Sequence, residues 1–194
     1  MPTRNFLKFH ICCIAAIILC VVMGVLAAAA LAFLALWPAP AAAAPPAAPA
    51  VRMPLLKGGE TFDSRALIGK KVLVLRFQAS WCKTCAAQAA GLQRVYERYR
   101  SRDVEILAIH VDDTEPDARA FLEAHRATYP VALDPSLRVA NRFGFKRAPY
   151  TVVVNKRGEI AARLDATADL TRLAAAIDAA LKPPARRKAP ARAS

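Results

Sequence analysis

Two β-prone stretches limit the folds open to this chain. Residues Lys71–Phe77 and Val104–Val111 are mostly branched or aromatic and lack the strict polar alternation of a half-exposed strand. Such runs are typical of strands buried on both faces, as when helices cover both sides of a sheet. A helical pattern follows each run. The sequence therefore predicts an α/β fold with a central mixed β-sheet flanked by helices.

The remaining elements are predicted from turn residues and helical spacing. Gly58-Gly59 predicts an N-terminal hairpin, and Lys156-Arg157-Gly158 predicts a second one. The predicted order is β-β-β-α-β-α-β-α-β-β-α. The further strands are Met53–Lys57, Glu60–Asp63, Val131–Leu133, Tyr150–Val154 and Glu159–Leu164, and the helices are Cys82–Tyr99, Glu115–Arg126, Pro135–Phe143 and Asp169–Leu181.

A charge-free stretch, Ile11–Trp37, precedes this domain. As a helix it would be about 40 Å long, against a hydrocarbon core of about 30 Å. We therefore expect residues 11–37 to be a transmembrane signal anchor. Arg4 and Lys8 predict that residues 1–10 stay in the cytoplasm. The domain would then face the periplasm from a single-pass anchor in a bacterial inner membrane.

The segment after the apolar run leaves one alternative open. Ala39–Ala44 offers Ala-x-Ala cleavage sites, so a cleaved signal and a soluble periplasmic protein are also compatible with the sequence. The Ala/Pro composition of residues 38–50 predicts a semi-rigid linker. The domain is predicted over residues 51–181, and a basic disordered tail over residues 182–194.

The formal net charge of +13 does not indicate a polyanion-binding domain. Two basic residues precede the apolar run and five lie in the tail, so the domain itself is only moderately basic. It has no basic cluster interleaved with aromatic residues and no nucleic-acid-binding motif. No nucleic acid is expected as a partner.

Of the five cysteines, only Cys82 and Cys85 fall in the predicted domain. They stand where a strand passes into a helix, and a helix N-terminus stabilises a thiolate. Lys83 adds a positive charge, and Trp81 and Thr84 complete the motif. We expect Cys82 to be exposed and to attack first, and Cys85 to be more buried and to resolve the mixed disulfide. The redox-active disulfide would itself be the redox group, with no other cofactor.

Other interpretations of the cysteine pair are weaker. Zinc needs about four ligands, and the domain offers only His110 and His125, on separate elements. No metal site is therefore predicted. A structural disulfide remains open, because oxidising compartments contain them. Trp81 is either a core aromatic or a shield over the active site, and its place before the first cysteine favours the shield.

A second candidate site element is Ala148-Pro149-Tyr150, just before a predicted strand. Proline cannot donate to a sheet ladder and is found at strand starts. A cis peptide there would place the Ala148 backbone against an incoming peptide and form a substrate groove. An X-Pro bond is cis in only about 5–6% of cases, so the sequence alone gives this little support.

Together these motifs resemble the thioredoxin superfamily, and within it the TlpA/ResA-like, redoxin-type, membrane-anchored thiol–disulfide oxidoreductases. The resemblance implies a thioredoxin-like fold with an N-terminal hairpin and an inserted βα element over Val104–Arg126. It also implies a cis peptide before Pro149 and Cys82 as nucleophile. The matching segments are Gly59–Asp63, Leu67–Lys70, Phe77–Cys85, Tyr129–Asp134, Phe143–Phe145, Ala148–Val154 and Lys156–Gly158.

The resemblance implies an extracytoplasmic enzyme that exchanges protein disulfides. The family favours the reductase direction, as in cytochrome c maturation or metal-site assembly. The implied partners are protein dithiol or disulfide substrates and a membrane thiol protein that donates or accepts electrons. A redox-inactive binding module remains an alternative. A peroxiredoxin-like peroxidase is disfavoured, because Ala79 stands where that pocket needs a hydroxyl.

Three residues depart from the family pattern. Gln88 and Ala90 replace an expected Glu and Pro, and Arg76 replaces a buried acid or Asn. The usual proton acceptor near the resolving cysteine is therefore not evident. A guanidinium under Cys85 would favour the thiolate. The alternative is that Arg76 extends to solvent and pairs with a surface acid, and the cost of an unpaired buried charge favours that alternative.

Overall fold

The computed structural model describes residues 45–182. The strands are β1 Arg52–Pro54, β2 Thr61–Asp63, β3 Val72–Gln78, β4 Val104–Val111, β5 Val131–Asp134, β6 Tyr150–Val154 and β7 Ile160–Leu164, and the helices are α1 Lys83–Tyr99, α2 Glu115–Ala124, α3 Arg138–Arg142 and α4 Leu170–Leu181. Five strands form one sheet in the order β5-β4-β3-β6-β7, and β1 pairs with β2 in a separate hairpin. A 3-10 turn, Ser64–Leu67, follows the hairpin.

The central strand β3 separates two apolar cores. It pairs parallel with β4 and antiparallel with β6, and all seven of its residues are buried. Val72 and Val74 pack against α1 and α4, whereas Leu73, Leu75 and Phe77 pack on the opposite face with α3 and the N-terminal hairpin. The predicted mixed sheet with helices on both faces is confirmed.

Two predicted helices are shorter in the structure. The helix predicted from Pro135 begins at Arg138, because Leu137 has a left-handed conformation with φ 58°. The Asp134 carboxylate instead accepts hydrogen bonds from the first free N–H groups of α3. The helix predicted to reach Arg126 ends at Ala124, and Arg126 itself has φ 51°.

Part of the predicted Ala/Pro linker is bonded to the domain. The Ala48 N–H donates to the Gly158 carbonyl at 2.8 Å, and the Ile160 N–H donates to the Pro46 carbonyl at 2.9 Å. Ala47 forms an isolated bridge with Glu159. The compact unit therefore begins at Pro45 and includes the last residues of the segment predicted as a spacer.

Several predicted features lie outside the described residues. These are the cytoplasmic N-terminus over residues 1–10, the anchor over residues 11–37, the linker up to residue 44 and the tail from residue 183 onward. Within residues 45–182, no helix combines the length and the apolar character that crossing a membrane would need.

Candidate active site

The two domain cysteines form a disulfide at the start of α1. Strand β3 ends at Gln78, and the chain crosses a short loop before α1 begins at Lys83. Cys82 is the N-cap residue of α1, and its Sγ accepts a hydrogen bond from the Cys85 N–H at 3.1 Å. The Cys82 sulfur therefore sits at the positive end of the helix dipole, which favours its thiolate.

Cys82 is less accessible than the sequence predicted. In the disulfide form Cys82 is 6% exposed and Cys85 is 2% exposed. The expectation of an exposed Cys82 is therefore wrong, although Cys85 is the more buried of the two cysteines, as expected. The physical reason is packing, since the pair forms one small apolar cluster with its neighbours. That cluster contains Ala79, Ala89 and Phe121, and Ala86 and Ala148 pack against it.

Trp81 lies on the surface beside the disulfide. It is 57% exposed, so the interpretation as a core aromatic is wrong. Its indole Nε1–H donates to the Asp112 carbonyl oxygen at 3.0 Å, which fixes the ring to the loop after β4. Lys83 and Thr84, between the two cysteines, are also exposed. The motif thus presents a tethered aromatic and a cation to solvent above a buried disulfide.

The predicted groove segment lies against the same cluster. The Ala148–Pro149 peptide bond is cis, as the resemblance implied. Ala148 is half-buried and packs on the cluster that contains both cysteines. Tyr150 begins β6, and its hydroxyl donates to the Phe143 carbonyl at 3.2 Å. Strand β6 therefore holds the cis-proline segment next to the disulfide.

Arg76 is buried beneath α1. It is 4% exposed, so the prediction that it reaches solvent and pairs with a surface acid is wrong. Its Nη1 donates to Thr151 Oγ1 at 3.0 Å and its Nη2 to Gln88 Oε1 at 2.6 Å. Arg76 is buried because it lies on the central strand, on the same face as Val74, and α1 covers that face.

The Arg76 guanidinium has no carboxylate partner among residues 45–182. Its Nε is buried without a hydrogen-bond partner in that same range. Desolvation by burial lowers the pKa of Arg76 to about 10, so the group is still a cation at neutral pH. Gln88 stands one helical turn after Cys85, which brings this cation under the first turns of α1.

A buried polar network lies behind the cysteine loop, and the sequence patterns did not predict it. His110 is fully buried, and its Nδ1–H donates to Asp113 Oδ2 at 2.7 Å. The Asp113 carboxylate also accepts from the Ser80 N–H at 2.8 Å and the Ser80 hydroxyl at 2.7 Å. Gln78 Nε2 donates to His110 Nε2 at 2.9 Å. The network holds the segment that leads into Trp81 and Cys82.

One sequence signal could have revealed this network. His110 is the polar residue near the end of a buried strand, and an acid follows it three positions later. Because β3 and β4 are parallel neighbours, both strands end at the same edge of the sheet. His110 is paired in register with Gln78, just before the cysteine loop. A buried histidine there needs polar partners, and the loop provides them.

The protonation states follow from burial and hydrogen bonding. Desolvation by burial lowers the pKa of His110, and this effect is larger than the opposing effect of Asp113. The ring is therefore neutral, with its proton on Nδ1, which faces Asp113. Burial raises the pKa of Asp113, but hydrogen bonds from His110 and Ser80 outweigh that effect and lower it overall. The pair is therefore a neutral imidazole and a carboxylate at neutral pH.

Within residues 45–182, no group of three or more His, Cys, Asp or Glu side chains is arranged to hold a metal ion.

The two shifted pKa values predict acid destabilisation. Both folded values are lowered, so the unfolded chain binds more protons. The His110 contribution is present above its ordinary pKa of 6.5 and declines below it by up to about 1.4 kcal/mol per pH unit. The Asp113 contribution is lost only at lower pH, below the ordinary carboxyl value of 3.8.

We expect the free energy of unfolding in urea to fall between pH 7.5 and pH 5.5. His110→Gln should lower the stability at pH 7.5 and flatten this pH dependence. The control His125→Gln, just after α2, should keep the wild-type slope. Equal slopes in the wild type and His110→Gln would show that His110 is not the group responsible.

Solved structures of other proteins share this fold. The chain is 21% identical to a thiol:disulfide interchange protein from Chlorobium tepidum, with a TM-score of 0.66 over 73% of this chain and 100% of that one. It is 21% identical to a secreted thiol-disulfide isomerase from Corynebacterium glutamicum, with a TM-score of 0.62 over 69% of this chain and 84% of that one. At this identity the similarity confirms the thioredoxin-like fold alone.

Sequence similarity points in the same direction. The chain is 29% identical over 102 residues to the thiol-disulfide oxidoreductase ResA of Halalkalibacterium halodurans. That match spans 53% of this chain and 57% of the relative, little more than half its length. The model of the AhpC/TSA family matches residues 45–163, which is more than half of the chain. The protein belongs to the AhpC/TSA family.

Proposed function

We propose that this protein is an extracytoplasmic thiol–disulfide oxidoreductase that exchanges protein disulfides through Cys82 and Cys85. The observation that carries the proposal is the disulfide at the N-terminus of α1, packed against a cis-proline segment. A purely structural disulfide needs neither the helix N-terminus nor a neighbouring peptide-binding segment. The similarity to ResA supports the same chemistry.

In the reductase direction, the reaction begins with the reduced protein. The Cys82 thiolate attacks one sulfur of the partner disulfide, which breaks the partner's S–S bond and releases its other sulfur as a thiolate. Cys85 then loses its proton, and its thiolate attacks Cys82 Sγ and releases the second partner thiolate. Two electrons have moved from the Cys82–Cys85 dithiol to the partner, and the protein holds a disulfide.

Cys82 takes the role of nucleophile because it caps α1. Its sulfur faces the helix N-terminus and accepts the Cys85 N–H, and both features favour its anion. Cys85 is one turn further along and is almost fully enclosed, so it meets the sulfur of Cys82 and not that of a partner. The Ala148–Pro149 segment would hold the partner peptide, and Tyr150 continues that segment into β6 while its hydroxyl donates to the Phe143 carbonyl.

We place the domain outside the cytoplasm, on the bacterial inner membrane. The support is the charge-free run over residues 11–37. Substrates of the cytochrome c maturation or metal-site assembly type, and a membrane thiol protein that exchanges electrons with the pair, fit that location. A redox-inactive binding module is the competing function, since Arg76 and Gln88 stand where the resemblance implies a buried acid or Asn and a Glu.

Arg76 tunes the couple in this proposal. Reduction creates thiolate character in the cysteine pair, and the buried guanidinium has no carboxylate partner in residues 45–182. A thiolate of Cys85, one helical turn from Gln88, would supply the missing negative charge. Because this stabilises the reduced form, it makes the couple a stronger oxidant.

The cysteine roles predict opposite behaviour of two variants. Cys85→Ser should accumulate mixed disulfides with partner proteins, because the resolving thiol is gone, and Cys82→Ser should abolish exchange. Non-reducing gels and insulin reduction with the full-length protein in detergent measure both effects. The binding module predicts no insulin reduction by the wild type, and trapping by Cys82→Ser would reverse the two roles.

The anchor predicts where the protein is found. The full-length mass should sediment with membranes and resist extraction with high salt and with carbonate. Protease added to spheroplasts should degrade the domain, because it faces outward. A shortened, freely soluble species would instead establish cleavage in the Ala-rich segment after Trp37.

Arg76→Asn should lower the reduction potential of the couple by tens of millivolts. One pKa unit of lost thiolate stabilisation corresponds to about 1.4 kcal/mol, or about 30 mV for two electrons. Equilibration with glutathione buffers measures the potential, and Arg94→Asn on the exposed face of α1 is the matched control. An unchanged or raised potential in Arg76→Asn would contradict the tuning role.

A further inference from the structure

The rim of the buried disulfide carries positive charge. Lys83 lies between the two cysteines, and Lys146 and Arg147 directly precede Ala148, which packs against the cysteine cluster. All three basic side chains are exposed. Each of them is within two residues, along the chain, of Cys82, Cys85 or Ala148.

Two of these three cations have no acid close by. Within residues 45–182, neither Lys83 nor Lys146 has an acid within ion-pair distance, since the ion pairs of that range join other residues. Arg147 lies near Asp165, where it helps to lower the pKa of that carboxyl after the Thr167 hydrogen bonds. Lys83 and Lys146 are therefore open to an acidic partner, whereas Arg147 is shared with Asp165.

The charge around the site is unevenly distributed. The cis-proline side carries Lys146 and Arg147, with Asp165 beside Arg147. The side of Trp81 carries the exposed acid Asp112, whose carbonyl oxygen accepts the indole N–H. A partner segment in the groove would meet positive charge on one side of its cysteine. Within a Debye length of about 8 Å these charges are only partly screened.

We infer that this site selects partner proteins whose reactive cysteine lies in an acidic segment, which docks on Lys146 and Arg147. The inference rests on the proposed function, because it names the substrate class of the same disulfide. Its physical basis is electrostatic steering, which raises association rates by tenfold or more when an oppositely charged partner approaches. Such a preference must weaken as salt rises.

Three synthetic disulfide peptides test this selection. They carry Glu, Ser or Lys on both sides of the cysteine. The full-length reduced protein, in non-ionic detergent, reduces each peptide, and the measured rate is divided by the rate at which mercaptoethanol reduces the same peptide. This division removes the intrinsic effect of the flanking charges on the peptide disulfide. We expect the Glu peptide to react about tenfold faster than the Lys peptide at low salt, and the gap to close several-fold in about 0.5 M NaCl.

The charge-reversed pair Lys146→Glu with Arg147→Glu should abolish or invert this preference and leave the rate with the Ser peptide nearly unchanged. The control pair Lys70→Glu with Arg100→Glu makes the same charge change at the far ends of β3 and α1, and should keep the preference.

Equal normalised rates for the Glu and Lys peptides in the wild type would overturn the inference while leaving the proposed function intact. A Glu preference that survives the charge-reversed pair would overturn the assignment to Lys146 and Arg147. Failure to reduce even the Ser peptide would overturn the proposed function, and the inference with it.

Discussion

The whole site depends on the burial of strand β3. All seven of its residues are enclosed between two neighbouring strands and two layers of helices, so its end point is fixed. The loop that follows delivers Cys82 to the first position of α1, where unpaired N–H groups and the helix dipole favour its thiolate. A flexible or edge strand could not hold a sulfur in that position.

Two buried polar groups flank this junction, and they differ in how they are satisfied. The Asp113 carboxylate is fully engaged by His110 and Ser80, and it locks the loop that enters the cysteine motif. Arg76, by contrast, is a buried cation whose hydrogen bonds within residues 45–182 go to neutral groups, and its Nε–H has no partner in that range. An uncompensated buried charge is costly, and in our proposal the reduced cysteines offset that cost.

The sequence predicted the features that depend on residue type and on position along the chain. It did not predict the contacts that form only when strands and helices pack together. Cys82 at a strand-to-helix junction and Pro149 at a strand start both follow from residue type and position. The burial of Arg76 did not, because the cost of a buried charge argues against it until the enclosing strands and α1 are known. The His110–Asp113 pair was missed for a similar reason: its partners come together only through the parallel pairing of β3 and β4.

The central claim is that the N-terminus of α1 makes Cys82 the nucleophile. It is tested most directly by the rate of alkylation of each cysteine in the reduced full-length protein as a function of pH. We predict that Cys82 reacts first, with a pKa well below the ordinary thiol value of about 8.5. A Cys82 pKa at or above that value, or faster alkylation of Cys85, would contradict it.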